Sequence, residues 1–225
     1  MRAAAGDGAN LIVFPEAHIP GYPVWLENGG ARFNHPRNKE WFRRYYESSM
    51  TKADICAIRT EAEHLGICAV VGGIGRDSDI NRSLYCTVVI ADGTRANGAL
   101  RVHRKMKPTY EERLVWADGD SSDLRAVATD FGLGGDPWRL SALNCWENWM
   151  PAPRTALYGQ GVDLHCMVWP GSVRNTDVIT RFVAQEGRMV AVSVSGVLRP
   201  GDVFAGAHQA FPATHLWPGH GAGGG

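Results

Sequence analysis

Short apolar runs alternate with amphipathic stretches along most of this chain, and that alternation restricts it to an α/β architecture. Residues 11–14 (LIVF) form a continuous apolar run closed by Pro15, the pattern of a strand buried on both faces. From 38 to about 64 the period becomes helical: Ile55, Ile58, Ala62 and Leu65 recur at three and four residues, and Gly66 supplies a stop. Residues 67–73 and 84–91 read as strands rich in Val, Ile and Cys, and Asp92-Gly93 as a hairpin turn into 99–103. Further along, 139–144, 164–169 and 189–195 read as extended, 152–161 and 176–187 as helical. Strand pairs joined by hairpins argue for a mixed sheet in one layered domain over residues 1–225. Between them, 105–137 is a long loop region dense in charge, Pro and Gly, with one helical turn at 110–113; long loops in compact domains usually carry function. The last residues, 218–225, show no core-forming pattern.

Composition removes several function classes. Lys plus Arg balances Asp plus Glu at 23 each, so no global field favours nucleic acid or an anionic membrane. No run reaches the ~18 apolar residues of a membrane span. Residues 1–10 lack the apolar segment of a signal peptide, and five cysteines without CxxC spacing suit reduced thiols, so a cytoplasmic protein is expected. The histidines show no HExxH and no pairing with cysteines, and Gly73-x-Gly75 lacks the rest of a phosphate loop. No metal and no cofactor are expected.

Three stretches share one layout, in which an apolar strand delivers a reactive side chain to the start of a loop. LIVFPE ends in Glu16, LRVHRKMKP holds Lys107 just before Pro108, and LSALNC ends in Cys145. Ligand sites in α/β proteins gather at strand ends, so the three could converge. A carboxylate, an ammonium and a thiol together suit acyl transfer through a covalent thioester: a nucleophile, a base to take its proton, and a cation to hold developing charge. Each residue also has a plain structural reading. Glu16 could cap or face water, Lys107 could belong to a solvated basic face, and Cys145 could be a small core residue. Trp25, Trp116, Trp146 and Trp149 lie near these stretches and could line an apolar pocket or simply pack the loops. His165-Cys166, in an apolar run, reads as core.

The segments NLIVFPEAHIPGYPVW (10–25), HRKMKPTYEERLVWADGD (103–120) and LNCWENWMPAPRTALYGQGVDL (143–164) resemble the signature stretches of the nitrilase family, within the carbon–nitrogen hydrolase superfamily. The likeness extends from Gly8 to Arg199. It implies an α-β-β-α four-layer sandwich in which Glu16 is the general base, Lys107 the lysine, Cys145 the nucleophile and Glu112, not Glu111, a second glutamate that positions the lysine. The Trp146 backbone N–H would help stabilise charge on the substrate. Cys-Trp-Glu resembles the nitrile-hydrolysing branch, which implies conversion of a small-molecule nitrile to the acid and ammonia through a thioimidate and a thioester. Amidase and cyanide-converting relatives are the alternatives. The resemblance also implies a homo-oligomer, a dimer or higher.

Beside that family pattern the chain looks shortened at both ends. The resemblance implies a first strand and helix before residues 11–14, of which residues 1–10 would be at most the last turn or two of the helix, and further strands and a tail after the last residue. An inactive chain serving only binding or assembly is therefore the reading set against an active enzyme.

Overall fold

The computed structural model describes residues 1–26, 36–77, 81–171 and 173–197, so residues 218–225 lie outside the described part. Two four-stranded sheets face each other. The first contains β1 (Leu11–Ile19), β2 (Cys68–Arg76), β3 (Leu84–Asp92) and β4 (Leu100–Arg104) in that spatial order, with β1 parallel to β2 and the other pairs antiparallel. The second contains β5 (Val127–Thr129), β6 (Trp138–Asn144), β7 (Leu164–Trp169) and β8 (Val190–Ser195); β5 runs antiparallel to β6, and β6, β7 and β8 are parallel.

Side-chain alternation along buried strands makes the layers. Val70, Val88 and Ile90 of the first sheet meet Leu140, Ala142 and Val168 of the second. Ala69, Val71, Val89 and Ala91 point the opposite way, against Ile55, Ile58 and Ala62 of helix α3 (Lys52–Leu65). On the far side Met167 and Trp169 receive Ile179 and Val183 of α5 (Val173–Gly187). The result is the expected α-β-β-α sandwich. The remaining helices are α1 (Arg2–Gly6), α2 (Pro36–Ser48) and α4 (Pro151–Tyr158). No described helix is long and apolar enough to cross a membrane.

The helix expected over 38–64 is two helices. At the break the Met50 N–H donates to the Ile74 carbonyl (2.7 Å), and its carbonyl accepts the Arg76 N–H (3.1 Å), so one residue leaves the helix to bridge to β2. Thr51 restarts the helix with a capping box: its hydroxyl accepts the Asp54 N–H, and the Asp54 carboxylate accepts the Thr51 N–H. Gly66 ends α3 at φ 64°, as its position suggests.

The Asp92-Gly93 turn is longer than a two-residue hairpin, because the Asp92 N–H pairs with the Ala99 carbonyl and the Asp92 carboxylate gathers Thr94 and Thr129. Inside the long loop lies the three-residue strand β5, which the sequence pattern does not predict. It turns Val127 and Thr129 inward and leaves Ala128 exposed.

Candidate active site

Glu16 reaches the interior because β1 is bulged. Phe14 stands opposite Val71 and Ile19 opposite Gly73, so the chain between them outruns its partner strand. Ala17 within the bulge sits at φ 52°. A side chain on Gly72 would strike the Pro15 carbonyl and stand 2.7 Å from the Glu16 Cα. The bulge can therefore lie flat only against a glycine.

The ammonium that meets Glu16 belongs to Lys105. Its Nζ donates to Glu16 Oε1 (3.0 Å) and to Glu112 Oε2 (2.8 Å), and its side chain is wholly buried. The Trp116 ring covers it, with Nζ 5.5 Å from the ring centroid. Glu112 is held in turn by the Thr109 N–H on Oε2 (2.6 Å) and by the Tyr22 hydroxyl on Oε1 (3.3 Å). Glu111 is exposed.

Lys107 is not part of this cluster: it is exposed and paired with Asp118. The expectation for Lys107 is corrected to Lys105 on structural grounds. Residues alternate across β4, so the buried His103 and the buried Lys105 fall on one side of the chain. After Lys105 the chain turns outward toward Pro108. The Lys105 backbone is pinned on both sides, its N–H donating to the Cys86 carbonyl (2.7 Å) and its carbonyl accepting the Gly119 N–H (2.9 Å).

Cys145 follows β6 directly and opens the short 3-10 turn Cys145–Trp149. Its φ of 47° is unusual for a residue with a side chain and holds the thiol at a sharp strand-to-turn corner. Beneath it, Asn148 Nδ2 donates to the Cys145 carbonyl (2.9 Å) and reaches the Leu143 carbonyl (3.3 Å). Asn148 Oδ1 meets His165 Nε2 (2.9 Å), whose Nδ1 meets the Ser141 hydroxyl (2.7 Å). The Arg154 guanidinium donates to the Asn148 carbonyl (3.0 Å). His165 is thus a core residue, as expected, and it also orients the amide that supports the cysteine turn.

Burial pushes the Glu16 carboxyl up to about 7; Lys105 pulls it down and Glu112 pushes it further up. Burial also raises the Cys145 thiol well above its ordinary range. The Glu16 charge adds to that rise, while Lys105 and a hydrogen bond from the Trp146 backbone N–H oppose it. For Lys105 burial works against the charge, and the negative groups led by Glu16 outweigh it, holding the ammonium firmly protonated. Cys145 therefore does not ionise by itself. A thiol in that state can bond through sulfur only by giving its proton to a base, and the Glu16 carboxyl, pushed up to about 7, can take up or release a proton near neutral pH. Glu16 Oε2 has no hydrogen-bond partner among the described residues.

The tryptophans divide. Trp25 and Trp116 are buried, Trp116 against the Lys105 ammonium and Trp25 stacking on Trp41 and packing against Tyr45. Trp146 and Trp149 are partly exposed and stack on each other, and the backbone N–H of Trp146 bonds to the thiol. Gly73 and Gly75 lie inside β2.

The carbon-nitrogen hydrolase family matches residues 1–199. A nitrilase from Bradyrhizobium diazoefficiens is 35% identical over 219 residues, covering 96% of this chain and 62% of that one. An aliphatic nitrilase from Sinorhizobium fredii is 35% identical, covering 86% and 60%. A bifunctional nitrilase/nitrile hydratase from Oryza sativa subsp. japonica is 33% identical, covering 97% and 62%. The chain thus spans about 60% of the length of these relatives. Among solved structures, a Saccharomyces cerevisiae member of branch 10 of the nitrilase superfamily superposes with a TM-score of 0.64 at 16% identity, covering 90% of this chain and 68% of that one. An amidase from Nesterenkonia sp., solved with acrylamide, gives 0.60 at 18%, covering 86% and 65%.

Proposed function

The chain belongs to the carbon–nitrogen hydrolase family, and we propose that it hydrolyses a nitrile, with Cys145 as nucleophile, Glu16 as base, Lys105 as electrostatic stabiliser and Glu112 as the group that holds Lys105 in place. One observation carries this reading: a fully buried ammonium gripped by two carboxylates, beside a buried thiol at a left-handed corner. A buried lysine paired twice is costly to assemble and suits a role in handling charge.

In the proposed sequence Cys145 Sγ attacks the nitrile carbon as its proton passes to Glu16 and on to the nitrogen, giving a thioimidate. Lys105 and the Trp146 N–H stabilise charge on that nitrogen. Water activated by Glu16 adds to the carbon, ammonia leaves, and a thioester remains. A second water releases the acid and returns the proton to the thiol. The balance is R–C≡N plus two waters giving R–COOH plus ammonia.

Nitriles are favoured over amides because the relatives at 33–35% identity carry nitrilase names, whereas the amidase likeness, at 18%, speaks only to the fold. The test is ammonia release from a nitrile panel by this chain and by Cys145→Ala. Release by the parent alone is the expected result. Release from amides but not nitriles would move the assignment to amidase, and accumulation of amide to a hydratase-like outcome. No release by folded parent protein would leave the chain a binding or assembly element.

A further inference from the structure

Glu147 has no place in the steps above, yet its side chain is wholly buried two residues after Cys145. Its Oε1 accepts the Met106 N–H (2.7 Å), and its Oε2 accepts the Asn144 N–H (3.1 Å). His103 Nε2 lies 3.1 Å from one oxygen and 3.2 Å from the other. Since the partner is a carboxylate, that nitrogen carries the proton and donates to both. These donors come from opposite sheets. His103 lies near the end of β4 and Met106 follows Lys105, whereas Asn144 ends β6 immediately before Cys145.

We infer that Glu147 is a positioning residue which, braced by His103, clamps the Lys105 segment to the Cys145 turn and sets the registry between ammonium and thiol. A single carboxylate with three N–H donors has little freedom to shift. The left-handed Cys145 backbone is a conformation that persists only where its surroundings over-determine it. Without the clamp, the strand-to-turn corner can relax away from the lysine while both sheets remain folded. The inference rests on Cys145 being the nucleophile.

The test is the rate at which iodoacetamide alkylates Cys145, mapped by mass spectrometry, which needs no turnover. Glu147→Gln turns an amide N–H toward a backbone N–H, His103→Ala removes the brace, and His103→Gln restores a donor at similar reach. With circular dichroism unchanged, Glu147→Gln should slow alkylation about 10- to 100-fold, the scale of a misplacement near 1 Å. His103→Ala should slow it less, and His103→Gln should recover most of that loss. A folded Glu147→Gln protein alkylated within about twofold of the parent rate overturns the inference, because a lost clamp must show in the geometry of attack. So does a His103→Gln protein no better than His103→Ala. If Glu147→Gln fails to fold, the histidine pair decides; if neither histidine variant folds, Glu147 is a folding residue and the clamp is discarded. A parent chain not alkylated at Cys145 defeats the nucleophile reading itself, an outcome distinct from the others.

Discussion

Gly72 and Glu16 are in backbone contact across two strands: a Cβ on Gly72 would strike the carbonyl of Pro15 and stand 2.7 Å from the Glu16 Cα. The Glu16 carboxylate is thus held at its depth by the absence of a side chain on the neighbouring strand.

Gly72→Ala should therefore push the β1 bulge outward and reduce turnover at least tenfold. The accompanying loss of stability should be about 1–3 kcal/mol, as for other overpacked interiors. Gly159→Ala is the control, since a Cβ there meets nothing closer than 3.5 Å. Steady-state rates and thermal midpoints of the two variants check this; equal rates would dismiss the contact as irrelevant to the base.

Lys105→Met and Lys107→Met should differ sharply. The first removes the proposed charge stabiliser and leaves Glu16 and Glu112 without their ammonium, so a rate loss of about 10²–10³ is expected, with destabilisation of about 3–5 kcal/mol from the abandoned carboxylates. The second breaks only an exposed pair with Asp118, worth about 0–1 kcal/mol. Rates within a factor of two for both variants would remove Lys105 from the reaction.

Most strands and helices announce themselves by period, and α3 even carries its stop at Gly66, but their arrangement as two facing sheets between helices follows from the family resemblance and not from period. The proline after Lys107 draws attention to a lysine that the structure leaves exposed, whereas strand alternation already pairs His103 with the buried Lys105. Strand β5 is too short, and too closely framed by loop residues, for a period to show. Gly72 and Glu147 are invisible for another reason. What each touches lies on a distant segment, so only the folded chain shows why a glycine or a carboxylate stands there.

A pH profile of Cys145 alkylation should show one limb near neutrality. Glu16 is raised to about 7, so its base form is lost below that value and reactivity should fall as pH falls through it. Glu16→Gln should be slow throughout and lack the limb. Stability runs the other way. Folding favours the protonated carboxyl, so that contribution is complete at acid pH below the ordinary carboxylate range and lost as pH rises through about 7. A limb that survives in Glu16→Gln would assign it to another group.

His165 is held neutral, with burial and then the Arg154 charge bringing it down to about 4 from an ordinary 6.5. The stability it carries is complete above 6.5 and lost as pH falls through about 4, amounting to about 3 kcal/mol by linkage. Chemical denaturation at about pH 7 and about pH 4.5 should show a smaller acid loss in His165→Gln than in the parent. Equal losses would place the acid sensitivity elsewhere.

The order of the strands has a practical consequence. Residues 11–104 build one sheet and residues 127–195 the other, so the chain divides into two consecutive pieces. The first piece, with the residues that follow β4, carries Glu16 and Lys105, the second Cys145. A backbone cut at the exposed residues Asp120 and Ser121 would separate these partners cleanly. Thiol reactivity regained on mixing the fragments would then report, as a chemical signal, the docking of one half of the molecule onto the other.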